Sequence, residues 1–439
     1  RWNKIKPSSP MKGKIAKSKL ALFGGDPVFK KTLSPIHNIG REEVTQVLKV
    51  LEKGPLSGFL ASAGEGFSGG PTVQELERRF SRKFKIKHAV SFNSATTALH
   101  GAMAALGIGP GDEVIVSPYT MSASATAILM NGAIPIFADI DAKTFCLSPS
   151  SVQKCISRRT KAIMAVNLFG QSANYHRLIS IGKKYGLAIV EDNAQSPGAK
   201  YEGLYTGTIG DVGIFSFNLH KIIQAGEGGM LVTNSDTLAL RARLARNHGE
   251  VVVDQIDQYA AGPIIGSNYR MPEVIAAIML AQLPKLNFFN RGRIKLVRQL
   301  ERGLKTLEGI SPAYTDPKST HVYYRYAMKV DEKKLGISRD RLADAMRAEG
   351  FSLSKGYVKP IYLLPVFQQR KVFNQTNFPF SFEGYEAPPY VKGMCPTAER
   401  LNERELMLAD ICQYPYTKDH ISLFVRALKK VLRYKGELT

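Results

Sequence analysis

Cysteine is scarce in this chain. Only four occur in 439 residues, and Cys146, Cys155, Cys395 and Cys412 form no C-x-x-C pair and have no histidine at zinc spacing. That pattern excludes a disulfide scaffold, a zinc ribbon and a cysteine-ligated iron–sulfur cluster, and it makes a reducing cytoplasm without a bound metal the expectation. Long apolar runs are missing as well. No stretch of about eighteen apolar residues is present, so neither a membrane span nor a membrane partner is expected. Residues Arg1 to Leu20 are basic and polar and lack the apolar centre of a signal peptide, so secretion is not expected, and Met11 is a candidate natural start. Acidic residues are few beside basic ones, 37 against 60, which leaves a formal charge of +23. Such a balance raises the question of nucleic acid. The cations, however, are spread over Arg78 to Lys87, Arg241 to Arg246, Arg291 to Arg302 and Lys429 to Lys435, mostly at helical spacing, and no helix-turn-helix or RNA-binding signature accompanies them. Solvated helix faces, with some attraction for an anionic substrate, are the expected reading. No internal repeat is present.

The length allows two or three domains with a large core, and 44% hydrophobic composition is ordinary for a globular chain. Short apolar runs alternate with amphipathic stretches. Strands are predicted at Ala89–Phe92, Asp112–Ser117, Ile134–Asp139, Ala162–Asn167, Ala188–Asp192, Val212–Phe217 and Met230–Thr233. Helices are predicted at Thr72–Lys83, from Asn93, at Ser122–Asn131, Thr237–Asn247 and Glu273–Leu283. Strand and helix in steady succession predict an α/β fold with a mostly parallel, doubly wound sheet and right-handed crossovers. A long basic helix, Asn290–Leu307, leads to a smaller α+β unit. There a strand is predicted over His321–Val330, a helix over Arg339–Glu349 ended by Gly350, an irregular insertion over Phe373–Tyr390 and a closing amphipathic helix over Thr417–Tyr434. The expected division is a basic tail over 1–19, a large domain with an N-terminal arm over 20–288, and a small C-terminal domain over 289–439. The glycine-rich loop that ends at Gly69-Gly70 reads equally as a mobile flap and as a surface loop.

One stretch carries chemistry. The run Ala188-Ile189-Val190 ends in Glu191-Asp192, which puts a carboxylate at the C-terminal end of a buried strand, where open α/β sheets build their sites. Val212–Phe217 delivers Ser216 and then Lys221, and the glycines of Gly226-Glu227-Gly228-Gly229 follow. An acid, a hydroxyl and an amine near strand ends suit a charged heterocycle with an aldehyde and a phosphate, that is, pyridoxal 5'-phosphate. The amine condenses with the aldehyde, the acid keeps the ring nitrogen protonated, and the hydroxyl holds the phosphate. Taken singly, such an Asp is more often a helix cap and such a Lys a solvated charge. Together they reverse those odds. The small residues Ser94, Ala95, Thr96 and Thr97 open a helix, where free amides and the helix dipole also favour a phosphate.

The words Glu191-Asp192-Asn193-Ala194-Gln195-Ser196, Gly210-Asp211-Val212-Gly213, Phe215-Ser216-Phe217, Lys221 and Gly226-Glu227-Gly228-Gly229 resemble, in order and spacing, the DegT/StrS-type sugar aminotransferases. These belong to the fold type I pyridoxal phosphate enzymes. The resemblance spans about residues 20 to 434. It implies a large three-layer domain with a mostly parallel sheet and a smaller α+β domain, with Lys221 and Asp192 as catalytic residues. It further implies a phosphate held by Ala95, Thr96, Thr97 and Ser216, and Gln195 reaching the cofactor's phenolic oxygen. Met121 stands where the family usually stacks an aromatic ring, with Tyr119 as the alternative; Tyr119, Tyr357 and Lys359 fall in segments that meet substrate. Asn268, in Gly266-Ser267-Asn268-Tyr269-Arg270, matches an asparagine that crosses a dimer interface to the neighbouring phosphate, so a homodimer with shared active sites is implied. Asn218 replaces a histidine usual three residues before the lysine. His220 lies beside Lys221, and relatives with histidine in place of the lysine are dehydratases; five residues from Ser216 and five to Gly226 select Lys221. The implied activity moves an amino group from glutamate or glutamine to a keto sugar for carbohydrate or cell-surface polysaccharide biosynthesis. A nucleotide-linked keto hexose, a keto-inosose and an 8-keto octulosonate all fit. A pyridoxamine-dependent sugar dehydratase and a non-catalytic regulator that binds nucleic acid are the competing readings, and nucleic acid is the less favoured partner.

Overall fold

In a computed structural model, which describes residues 18–31, 38–256, 261–373 and 376–439, the short apolar runs become strands of one sheet. Of the tail expected over 1–19, residues 1–17, Met11 included, lie outside the described residues. The strands are β1 (His88–Phe92), β2 (Glu113–Val116), β3 (Ile134–Phe137), β4 (Thr160–Val166), β5 (Ala188–Asp192), β6 (Val212–Ser216) and β7 (Gly229–Thr233), in spatial order β1-β7-β6-β5-β4-β2-β3. Every neighbouring pair is parallel except those of β7, which runs antiparallel to both β1 and β6. The sheet is therefore mostly parallel, as expected. Its alternation shows on β6, where Ile214 packs into one cluster and Phe215 into another on the opposite face. Helices α2 (Pro71–Phe84) and α8 (Glu273–Gln282) cover the Phe215 face, and α3 (Ala95–Ala105), α4 (Ala123–Met130) and α6 (Tyr175–Tyr185) the other, which gives three layers. Residues Asp192 and Ile214 are partners in the β5–β6 register, so the two strands end side by side.

Helix α9 (Leu286–Leu304) begins four residues before the expected Asn290 and leads to a four-stranded antiparallel sheet. That sheet consists of β8 (Ile310–Ser311), β9 (Tyr326–Val330), β10 (Ser354–Lys355) and β11 (Leu406–Ala409), with α10 (Arg339–Ala348) and α12 (Lys418–Arg433) packed on it. The strand expected over His321–Val330 is shorter than predicted. Tyr323 has left-handed φ of 51°, and the buried Arg293 of α9 donates to the carbonyls of Tyr323 and Tyr324 at 3.1 and 3.0 Å. Those carbonyls are claimed by a side chain, so no ladder forms before Tyr326. The insertion over Phe373–Tyr390 is less irregular than predicted. It holds a hairpin, Ser381–Phe382 with Tyr385–Glu386, and its Phe380, Tyr385 and Tyr390 are buried in the large core.

Packing crosses the expected 288/289 border in both directions. Leu20 of the N-terminal arm is buried with Leu296, Leu300 and Met328, and the buried Glu349 of the small unit accepts the Ala21 and Val28 amides at 3.0 and 2.9 Å. The glycine-rich loop is pinned, because the Asn247 amide donates to the Leu60 and Phe67 carbonyls at 2.8 and 3.3 Å. Among the described residues no helix is long and apolar enough to cross a membrane, all four cysteines are free, and no group of three His, Cys, Asp or Glu could hold a metal.

Candidate active site

At the C-terminal ends of β5 and β6 lies a cavity of about 200 Å³ whose lining includes Asp192, Ser216, Lys221, Ala95, Thr96 and Met121. The acid sits where β5 stops pairing. Asp192 is 5% exposed; its Oδ2 accepts a hydrogen bond from the Ser124 hydroxyl at 2.7 Å, and its Oδ1 accepts the Ala194 amide at 3.2 Å. Two donors on one carboxylate fix its direction.

The amine arrives on the loop after β6. The Phe217 amide donates to the Gly228 carbonyl at 2.9 Å, Ala225 returns a bond to the Phe217 carbonyl at 2.8 Å, and the Lys221 amide donates to the Asn218 carbonyl at 2.9 Å. These bonds turn the loop back on itself and bring Lys221 over Asp192's cavity. Burial pulls the Lys221 ammonium down from its ordinary value to about 8, with the Asp192 charge opposing that fall. Its Nζ lies 4.9 Å from the centre of the Tyr324 ring, a cation–π contact, and makes no hydrogen bond within the described residues.

The third wall is the start of α3. Ser94 caps this helix, its hydroxyl accepting the Thr97 amide at 3.1 Å, and the Ala95 and Thr96 amides have no carbonyl one turn back. A side chain on Gly229 would meet the Ser94 carbonyl at 2.5 Å, so glycine is what lets β7 come this close to the helix start. Free amides at a positive helix end, with the Ser216 hydroxyl on the same cavity, fit a phosphate. Asp192 fits a protonated ring nitrogen, and Lys221 fits an aldehyde. The residues present thus suit pyridoxal phosphate.

Other predicted residues fall in different places. Gln195 lines the cavity, its Oε1 accepting the Phe169 amide at 2.9 Å and its Nε2 donating to the Tyr357 hydroxyl at 3.0 Å. Thr97 turns away, its hydroxyl donating to Asn93 Oδ1 at 2.7 Å. Tyr119 is fully buried behind the wall, where its hydroxyl accepts the Tyr357 amide at 3.0 Å and donates to Asn402 at 3.2 Å. Tyr357 thus joins Tyr119 to Gln195. Lys359 is exposed and outside the lining. Asn268 is also exposed and outside it, with its Oδ1 held by the Arg270 guanidinium at 2.8 Å. Asn218, His220 and Glu227 line the mouth, and Asn218 gives its Nδ2 to Glu227 at 2.9 Å while its buried Oδ1 has no partner. Burial and the neighbouring Lys221 hold the His220 imidazolium below its ordinary value.

Two residues escaped the reading of the sequence. Ser124 sits within a helix of small residues and gives no local sign of an acid two strands away. Tyr324 was hidden inside an alternating run that predicts a strand.

Residues 59–405 match the DegT/DnrJ/EryC1/StrS aminotransferase family, and the chain belongs to it. The spore coat polysaccharide biosynthesis protein SpsC of Bacillus subtilis is 32% identical over 355 residues, which cover 79% of this chain and 88% of that protein. GDP-perosamine synthase of Caulobacter vibrioides is 38% identical over 301 residues, which cover 68% of this chain and 80% of that protein. Among solved structures, DesI in the presence of its TDP-sugar product superposes with a TM-score of 0.79 at 27% identity, over 96% of this chain and 98% of that one. DesV of S. venezuelae, in complex with a ketimine intermediate, superposes with a TM-score of 0.75 at 30% identity, over 89% and 94%. The protein is therefore a pyridoxal phosphate-dependent enzyme of the sugar aminotransferase family.

Proposed function

We propose that this enzyme transfers an amino group from glutamate or glutamine to the keto group of a nucleotide-linked hexose. The single observation that carries the reading is one cavity lined by Lys221, Asp192 and the start of α3. Pyridoxal phosphate, when bound, supplies an aldehyde that accepts the amino group and a ring that withdraws electrons. The chain's own residues do the rest. The Ala95 and Thr96 amides and Ser216 bind the phosphate, and Asp192, held by Ser124, keeps a proton on the ring nitrogen. Lys221, with a pKa near 8, exchanges a proton at the donor's α-carbon close to neutral pH. Met121 packs its polarisable sulfur on one ring face, and Gln195, fixed by Tyr357, reaches the phenolic oxygen. We assign Tyr119, Tyr357 and Lys359 to the substrate side and Asn268 to the site of a second copy in a homodimer. Work in the cytoplasm agrees with four free cysteines.

The names of the relatives favour a nucleotide-linked substrate, since one is a GDP-perosamine synthase and another was solved with a TDP-sugar product. Lys221 disfavours the dehydratase reading. The purified protein should absorb visible light and bleach on addition of glutamate or glutamine. Nitrogen from labelled glutamate should then appear, by mass spectrometry, in a nucleotide-linked amino hexose. Transfer only to a keto-inosose or an 8-keto octulosonate would reassign the substrate, and no spectral change with either donor would contradict transamination.

A further inference from the structure

Part of the large positive charge forms an uninterrupted row on one outer face. Along α9, the exposed residues Phe288, Arg291, Lys295, Arg298, Arg302 and Lys305 follow one another at intervals of three and four, so they share a side of the helix. From Arg291 to Lys305 this row runs roughly 21 Å. The opposite side of α9, with Leu296, Leu300 and Leu304, is buried. No exposed acid interrupts the row; the only carboxylate of α9, Glu301, is partly buried.

A second row lies beside it. Gln299 donates to the Lys418 carbonyl and the Ser422 hydroxyl of α12 at 2.9 and 3.0 Å, and a side chain on Gly303 would meet Val425 at 2.6 Å, so the C-terminal part of α9 lies against the N-terminal half of α12. The exposed side of α12 carries Lys418, Arg426, Lys429 and Arg433, with a single acid, Asp419, in its first turn. Arg302 leans on the Arg298 carbonyl at 3.2 Å and Arg433 on the Tyr434 ring at 5.6 Å. Among the described residues none of these cations forms an ion pair, although the chain's other helices pair many of theirs, as Arg78 and Arg79 do with Glu75.

An unpaired double row of cations is costly in self-repulsion unless a polyanion meets it. The aromatic residues at its head indicate which kind. Phe288 is 60% exposed and Tyr414, packed on Phe289 at 5.9 Å, is 49% exposed; both border a groove with Lys295 and Lys418. Rings beside a cationic helix face suit the headgroup boundary of an anionic bilayer, where the rings enter and the cations stay at the lipid phosphates. A nucleic-acid duplex offers the charge, but takes up rings only where they wedge apart base steps, so the bilayer boundary is the simpler fit. We infer that the α9–α12 face docks the enzyme peripherally on an anionic membrane surface. This goes against the expectation of no membrane partner, which rested on the absence of long apolar runs and did not weigh a peripheral surface.

The test is sedimentation of the full-length holoenzyme with vesicles of roughly one-third phosphatidylglycerol in phosphatidylcholine. Wild type should pellet with these, not with pure phosphatidylcholine, and should be released at about 0.5 M salt, where the Debye length shrinks to a few ångströms. R298E/R302E/K429E should lower binding about tenfold or more while leaving transaminase turnover unchanged. The control K154E/K183E/K184E, on exposed positions of the large domain, should bind within about twofold of wild type. No binding to anionic vesicles would overturn the proposal. So would equal loss in both triple variants, or tighter retention on duplex DNA than on vesicles at the same salt.

Discussion

At the floor of the cavity Asp192 is 5% exposed and accepts bonds from Ser124 and Ala194, whereas at the mouth Met121 is 59% exposed and Asn218 keeps an unpartnered Oδ1. The floor is built at the ends of two neighbouring parallel strands, and the mouth from the loops after β2 and β6. Fixed donors on a buried acid suit a step that does not depend on which sugar is bound, because their orientation is set before substrate arrives. Loops at the mouth can vary without disturbing the sheet. Met121 and Asn218, the two departures from the family pattern, both lie there. On the proposed function, substrate choice belongs to the mouth, and the chemistry to the Asp192 strand end and to Lys221 on the folded loop beside it.

Substitutions test that division. Lys221→Ala should abolish turnover by at least about a thousandfold, the upper part of the range for a positioned proton carrier, with circular dichroism unchanged. Asp192→Asn keeps the shape and removes the charge, and a loss in kcat of about a hundredfold or more is expected from steady-state kinetics. Ser124→Ala removes one bond to a charged group, so kcat should fall about tenfold while KM for the sugar stays put. Asn218→Ala should do the reverse, raising sugar KM a few-fold with kcat within about twofold. If Asn218→Ala instead cut kcat as deeply as Ser124→Ala, floor and mouth would not be separable.

The amine itself gives a pH test. In the unfolded chain Lys221 holds its proton up to its ordinary 10.5, and in the folded apoprotein only to about 8. Unfolding therefore takes up a proton between those values, and the apoprotein should gain stability as pH rises from 8 towards 10.5. Lys221→Met should flatten that slope in chemical denaturation. The rate at which apoprotein takes up pyridoxal phosphate should likewise rise to a plateau just above pH 8, as the neutral amine becomes the main form.

Much of the floor was legible in the sequence because strand ends are punctuated by charge. Ala188-Ile189-Val190 gives way to Glu191-Asp192, and a run bounded in that way ends where the carboxylate must be. Ser216, Lys221 and the small residues from Ser94 to Thr96 were legible by spacing. Contacts between distant segments were not. Nothing near Ser124 points to Asp192, 68 positions away, and the alternation over His321–Val330 looks like a strand until Arg293 captures two of its carbonyls. Thr97 carries the right side chain for a phosphate, yet Asn93 claims its hydroxyl. The buried aromatics of Phe380, Tyr385 and Tyr390 lie in a stretch whose prolines and glycine read as irregular; Phe380 and Tyr390 find their place against Phe137 and Phe367, and Tyr385 by donating to Glu113 at 3.0 Å.

The most direct measurement is borohydride reduction of the holoenzyme followed by peptide mapping. The account predicts a phosphopyridoxyl group on Lys221 alone, absent from Lys221→Ala. A label on another lysine, or one retained in the alanine variant, would contradict it.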